Sequence, residues 1–109
     1  INTCRVIYQA DQDGENNQKV IEPGVAQTMT ILLQGVVGSG TGRAAAIGLG
    51  EAGKTGTTND NKDLWFIGYV PSQSIVTGVW LGNDNNAPTD GNSGLAAKLW
   101  GDYMRQVVR

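Results

Sequence analysis

Histidine is absent from this chain, and cysteine occurs once, at Cys4. Those two lacks remove zinc sites built from imidazole and thiolate, His-based catalytic couples and any intrachain disulfide. Acid–base chemistry is left to Lys, Asp, Glu, Tyr and hydroxyl groups. Cys4 itself reads as a small buried or half-exposed residue, and no metal or other cofactor is expected. Runs of Lys or Arg interleaved with aromatics are also missing, and the eight basic residues are outnumbered by ten acidic ones. The electrostatic footprint of a nucleic-acid binder is therefore not there. Long apolar runs are lacking too: "ILLQGVV" and "VTGVWLG" fall well short of the roughly 20 residues of a spanning helix, and the first residues carry no basic-then-apolar signal pattern.

What is present fits one small domain of 109 residues, a size at which burial leaves a modest stability margin. Short β-prone runs at 4–9 and 18–22 flank a turn signal at Asp13-Gly14, which predicts a hairpin. Pro23 suits the first position of a helix, and Val25, Met29, Leu32, Leu33, Val36 and Val37 recur at helical spacing until Gly38, so one face is expected to be core. "GSGTG" is a break, and "RAAAIG" reads as at most a helical turn. The runs 64–70 and 75–82 are apolar at nearly every position, which predicts central antiparallel strands covered on both faces and places Trp65, Phe66, Tyr69 and Trp80 in the core. A polar loop (83–94) leads to a helix with two adjacent i,i+4 rows, Leu95/Leu99/Tyr103/Val107 and Ala96/Trp100/Met104/Val108, which packs on the sheet. The class is α+β: an antiparallel sheet of at least three strands with helices before and after it.

The stretch "GLGEAGKTGTT" (48–58) can be parsed in two incompatible ways. From Gly48 it matches G-x-x-x-x-G-K-T, a phosphate loop; from Lys54 it matches K-T-G-T, a strand motif of enzymes that acylate a serine. A phosphate loop needs a strand before it and a helix that starts at the Lys-Thr. Here "AAAI" is a poor strand, and "TGTTNDNKD" has no apolar helical period. The strand parse has better local support, because Thr55, Thr57 and Thr58 favour strands and Gly56 leaves room for another backbone. Such an edge can bind an extended peptide, with the Lys54 ammonium and the Thr55 and Thr57 hydroxyls meeting a carboxylate. A solvated edge strand whose lysine deters aggregation is the plain alternative.

"AGKTGTTNDNKDLWFIGYVP", then "VTGVWLGND" and, upstream, "MTILLQGVVGSGTGRAA" are the segments that extend the pattern. Together they resemble the C-terminal part of the transpeptidase domain of penicillin-binding proteins, most of all the class A, bifunctional kind. The resemblance implies a partial transpeptidase fold over 1–109 and a parent D,D-transpeptidase that cross-links peptidoglycan stem peptides through an acyl-serine and binds β-lactams. By position it makes Lys54 the third-motif lysine, tuning proton transfer, and gives Thr55 and Thr57 the substrate carboxylate. It has Gly56 permit close approach and makes the Thr57 backbone N–H an oxyanion-hole donor.

The family's S-x-x-K and S-x-N motifs are not matched at Ser39, Ser72, Ser74 or Ser93. The nucleophile and the N-terminal part of the transpeptidase domain are therefore expected upstream, and a glycosyltransferase domain and a membrane anchor are expected outside this sequence. The resemblance places the protein on the extracytoplasmic, periplasmic face of a bacterial inner membrane. Without the upstream half, the 75–82 strand would present an apolar edge, so self-association is expected. Of the remaining polar residues, Asn59, Asp60 and Asp63 read as turn and capping residues, Arg43 as a solvated charge, and Glu51 as a partner for a lysine rather than a catalytic acid. The alternatives are a non-catalytic peptidoglycan or β-lactam binding module, a serine β-lactamase, whose pattern fits less well, and a phosphate-loop protein.

Overall fold

Helix α1 (Pro23–Ser39) opens a computed structural model that describes residues 3–7, 9 and 18–108. A single 3-10 turn at Arg43–Ala45 follows, then strand β1 (Ala52–Thr57), a tight turn at Asn59–Asn61, strands β2 (Leu64–Tyr69) and β3 (Val76–Leu81), and helix α2 (Ser93–Val107). Pro23 occupies the first turn of α1, where its missing N–H costs nothing. The helix runs past Gly38 and ends at Gly40, whose N–H donates to the Val36 carbonyl at 3.0 Å. At α2 the Asn92 side chain accepts from the Gly94 N–H at 2.9 Å and so caps the first turn.

The sheet is fully antiparallel in the order β1-β2-β3. Register pairs Thr57 with Leu64, Thr55 with Phe66 and Gly53 with Gly68 on one side; Leu81 and Val79 continue that face on β3. Helix α2 lies against it. Phe66 meets Trp100 edge-on at 5.2 Å, the Trp100 indole donates to the Thr77 carbonyl at 3.0 Å, and Thr77 Oγ1 donates to Met104 Sδ at 3.3 Å. Gly68 is a glycine for a packing reason: an added Cβ would stand 2.8 Å from the Phe66 ring and 3.0 Å from the Trp100 ring. Leu64, Phe66, Val70, Ala96, Ala97, Trp100 and Met104 close this core, with Val37 and Ala45 contributed from the N-terminal side.

Several expectations are corrected. The residues described in 4–9 and 18–22 form no strand, and the Asp13-Gly14 turn lies outside the described residues. Cys4, in the irregular N-terminal segment, is exposed. Helix α1 is only partly covered: Val37 is buried and Thr30 Oγ1 shares a hydrogen bond of 2.6 Å with the Tyr69 hydroxyl, but Val25 and Leu32 remain 55% and 61% exposed. The two apolar strands are covered on one face, not both. Trp65 and Trp80, cross-strand neighbours 6.4 Å apart, are 40% and 46% exposed on the other. On α2, the Ala96/Trp100/Met104/Val108 row is buried, while Leu95, Leu99, Tyr103 and Val107 face outward. On the sheet, α2 covers the Phe66 face, while α1 reaches Tyr69 and the β1 side and leaves Trp65 and Trp80 uncovered.

Candidate functional site

Lys54, Thr55, Gly56 and Thr57 occupy the middle and end of β1, which among the described residues pairs only with β2 and leaves its other margin free of strand pairing. The phosphate-loop geometry is not formed: Lys54 and Thr55 are extended strand residues, and no helix starts at them. The preceding "GLG" is a turn, with Gly48 and Gly50 at φ of 79° and 72°. Those values suit glycine, which has no Cβ to clash in the left-handed region.

One hydrogen bond fixes which main-chain groups of β1 face out. The Thr58 N–H donates to the Asp63 carbonyl at 3.1 Å, one step beyond the register pair Thr57–Leu64. Hydrogen-bonded and non-hydrogen-bonded pairs alternate along an antiparallel ladder. Lys54 and Gly56 therefore bond to β2, whereas the N–H and C=O groups of Thr55 and Thr57 point away from the sheet. The Lys54 ammonium confirms the direction by donating to the Thr55 carbonyl at 3.1 Å.

Side chains add to this margin from both faces. By register, Thr55 and Thr57 stand on the Phe66–Leu64 face and Lys54 on the Ile67 face. The exposed Lys54 side chain nevertheless curls around the free margin to reach Thr55 Oγ1 at 3.2 Å and Thr41 Oγ1 at 3.5 Å. Thr41 and Thr55 share a hydrogen bond of 2.8 Å. Thr57 is exposed farther along the strand. At Gly56 an added Cβ would meet nothing nearer than Trp65 Cβ at 3.5 Å, an ordinary contact, so packing does not require glycine there.

The turn that enters β1 is organised by Glu51. Instead of pairing with a lysine, its buried carboxylate accepts from the N–H groups of Ile47 (2.8 Å), Gly48 (3.3 Å) and Leu49 (2.8 Å). Burial by itself would raise the Glu51 pKa. Main-chain hydrogen bonds from Ile47, Glu51 itself, Leu49 and Gly48 together outweigh it, and the group lies below its ordinary value. At the other end of the strand Asp63 acts as a turn residue, accepting from Thr58 Oγ1 at 2.8 Å. Asp60 and Asn61 adopt φ of 59° to turn the chain. Arg43 is exposed.

A concavity of about 600 Å³ lined by Gln34, Val37, Arg43, Gly50 and Glu51 lies beside this turn and includes none of the K-T-G residues. The K-T-G strand is an open wall, not a pocket. Sequence reasoning missed Thr41, which reaches Thr55 only through tertiary packing. Among the described residues no group of three or more His, Cys, Asp or Glu could hold a metal ion, and no helix is long and apolar enough to cross a membrane.

The chain is similar to known proteins over most of its length. A family model described as the penicillin binding protein transpeptidase domain matches residues 2–105. Penicillin-binding protein 1A of Clostridium botulinum (strain Langeland) is 48% identical over 94 residues, covering 84% of this chain and 11% of the relative. Penicillin-binding protein 1A of Neisseria cinerea and that of Neisseria gonorrhoeae are each 46% identical over 102 residues, covering 88% of this chain and 12% of the relative. The chain thus spans about a tenth of the length of these curated relatives. By the extent of both matches the chain belongs to the penicillin-binding protein transpeptidase family.

Proposed function

We propose that this chain forms one wall of the active site of a serine D,D-transpeptidase that cross-links peptidoglycan stem peptides in bacterial cell-wall synthesis and is acylated by β-lactams. The observation that carries the reading is the free β1 margin. Two outward-facing main-chain stations, Thr55 and Thr57, alternate there with the Lys54 ammonium and the threonine hydroxyls. An extended peptide laid along such a margin gains ladder hydrogen bonds, and its terminal carboxylate meets a cation and hydroxyl donors.

In this reading a serine elsewhere in the parent polypeptide attacks the carbonyl carbon of the penultimate D-alanine. The new C–O bond forms as the peptide C–N bond breaks, the serine proton ends on the departing D-alanine amine, and an acyl-enzyme remains. An amine of a neighbouring strand then attacks the ester carbonyl, freeing the serine and completing the cross-link. Lys54 holds positive charge beside the carboxylate and assists proton transfer. The Thr55 and Thr57 hydroxyls bind that carboxylate, Gly56 admits the substrate backbone, and the Thr57 N–H donates to the developing oxyanion. The serine, its lysine base, a glycosyltransferase domain and a membrane anchor belong to other parts of the parent, which acts on the extracytoplasmic side of the membrane. The free margin of β3 and the uncovered Trp65/Trp80 face are where the rest of the domain packs. In the isolated chain they support self-association.

The test is labelling by a fluorescent penicillin. The 109-residue chain alone is expected to form no covalent adduct, because none of its serines stands at S-x-x-K spacing. The parent protein is expected to label stoichiometrically, and Lys54→Ala to slow its acylation by on the order of 100-fold. A parent that binds penicillin reversibly without acylation would make this chain part of a non-catalytic binding module.

A further inference from the structure

We infer that Thr41 is a positioning residue for the K-T-G margin: its hydroxyl fixes the direction in which Thr55 offers its proton. The inference rests on the transpeptidase reading above and adds to it a residue from outside the K-T-G run.

Thr41 is held by its neighbours. Gly40 and Gly42 both donate their N–H to the Val36 carbonyl, at 3.0 and 3.1 Å, folding the chain tightly over the end of α1. At Gly40 a Cβ would stand 3.0 Å from that same carbonyl oxygen; at Gly42 it would stand 3.1 Å from the Phe66 ring and 3.2 Å from Val36. Glycine on both sides of Thr41 lets the loop sit this close without displacing Val36 or Phe66. Phe66 is also the register partner of Thr55. Seating Gly42 on Phe66 therefore sets Thr41 beside Thr55, and the two hydroxyl oxygens lie 2.8 Å apart.

A threonine hydroxyl accepts two hydrogen bonds and donates one. Lys54 has protons only to give, and its ammonium takes one acceptor position of Thr55 Oγ1 at 3.2 Å. When Thr41 donates into the other, the remaining direction of the Thr55 hydroxyl is its own O–H, free for an incoming carboxylate, which can only accept. If the Thr55 proton were directed at Thr41 instead, the carboxylate would lose that donor. Thr41 touches no reacting atom in this scheme; it acts through Thr55, and at 3.5 Å it also borders the Lys54 ammonium.

The experiment is penicillin acylation of the parent protein, with rate and affinity separated by varying penicillin concentration. Thr41→Val is expected to lower acylation efficiency roughly three- to tenfold, in proportion to one hydrogen bond. Thr41→Ser is expected to stay within about twofold of the parent, because it keeps the hydroxyl. In a Thr55→Val background Thr41→Val is expected to cost nothing further, a non-additivity that a purely structural role would not produce. Parent-like acylation of Thr41→Val, equal losses in the Val and Ser variants, or an undiminished loss in the Thr55→Val background would each overturn the inference. So would unfolding of both Thr41→Val and Thr41→Ala in a thermal melt, which would make the residue structural. Failure of the unsubstituted parent to acylate would instead overturn the transpeptidase reading.

Discussion

The Trp80 indole N–H donates to Asp63 Oδ1 at 2.9 Å, so that β3 is tied to the residue preceding β2. Asp63 Oδ2 accepts from Thr58 Oγ1 at 2.8 Å, which brings the end of β1 into the same link. The hydrogen bond from Trp80, then that from Thr58, hold the Asp63 carboxyl below its ordinary value of 3.8, with Lys62 adding a smaller attraction. Because the folded pKa is depressed, the stabilisation is complete above the unfolded value and is lost as pH falls through the folded one. The Trp80 indole resonance in an NMR titration is expected to move below pH 3.8, and Asp63→Asn is expected to remove that step. A step at or above the ordinary value would contradict the link.

Glu51 is expected to matter more for stability. Glu51→Ala leaves the N–H groups of Ile47, Gly48 and Leu49 without their acceptor at a buried site, a loss of about 2–3 kcal/mol in a denaturant melt of the complete domain. Its depressed pKa carries the same sign as that of Asp63: the contribution is intact above 4.5 and fades as pH falls through the folded value. Glu51→Gln should flatten that part of the stability profile. A variant as stable as the parent would show that the turn needs no anion.

Gly53 and Gly56 stand three positions apart on β1 and should respond oppositely to alanine. At Gly53 the new Cβ would lie 2.5 Å from Phe66 Cζ and 2.8 Å from the Ile67 carbonyl oxygen, an overpacking expected to cost roughly 3 kcal/mol. At Gly56 the new Cβ would make only an ordinary contact with Trp65 Cβ at 3.5 Å, so stability should change by less than about 1 kcal/mol. Acylation of the Gly56→Ala parent should nonetheless fall by on the order of tenfold or more, if a substrate backbone must pass there. Unimpaired acylation would remove Gly56 from the binding wall.

Self-association of the isolated chain is expected to run through residues 75–82. Val76 is 71% exposed on β3 and stands on the same face as Trp80. Sedimentation velocity over a concentration series should show a rising mean coefficient, reduced by Val76→Lys, since a charge on an edge strand opposes pairing. A concentration-independent monomer would count against the proposal.

Much of this architecture was legible because local patterns and tertiary outcome coincide. Pro23 starts α1, the three strands fall where their composition places them, and the α2 rows identify the helix. The errors share one cause. Periodicity registers how apolar a surface is but not whether the same chain covers it, so it points Trp65, Trp80, Leu99 and Val25 to a core that this chain does not close. The 4–9 and 18–22 runs failed differently: β propensity without a packed partner does not make a strand. At the site, K-T-G could be read because its residues are contiguous. Thr41 could not, since its relation to Thr55 passes through Gly42 and Phe66.

Asn61, in the turn after β1, donates from its side chain to the Thr89 carbonyl at 3.1 Å and the Gly91 carbonyl at 2.6 Å, while its own carbonyl accepts from the Thr89 N–H and hydroxyl. This is a non-covalent clasp that closes a circuit through the β2–β3 hairpin. It divides the 83–92 loop into two regimes for anyone who wishes to graft a tag or a reporter into the domain. Around 84–86 the exposed loop is bonded within itself, through Asn83 and Asn85, so added residues would disturb that turn alone; between Thr89 and Gly91 they would pry the clasp open and carry the disturbance to the end of β1.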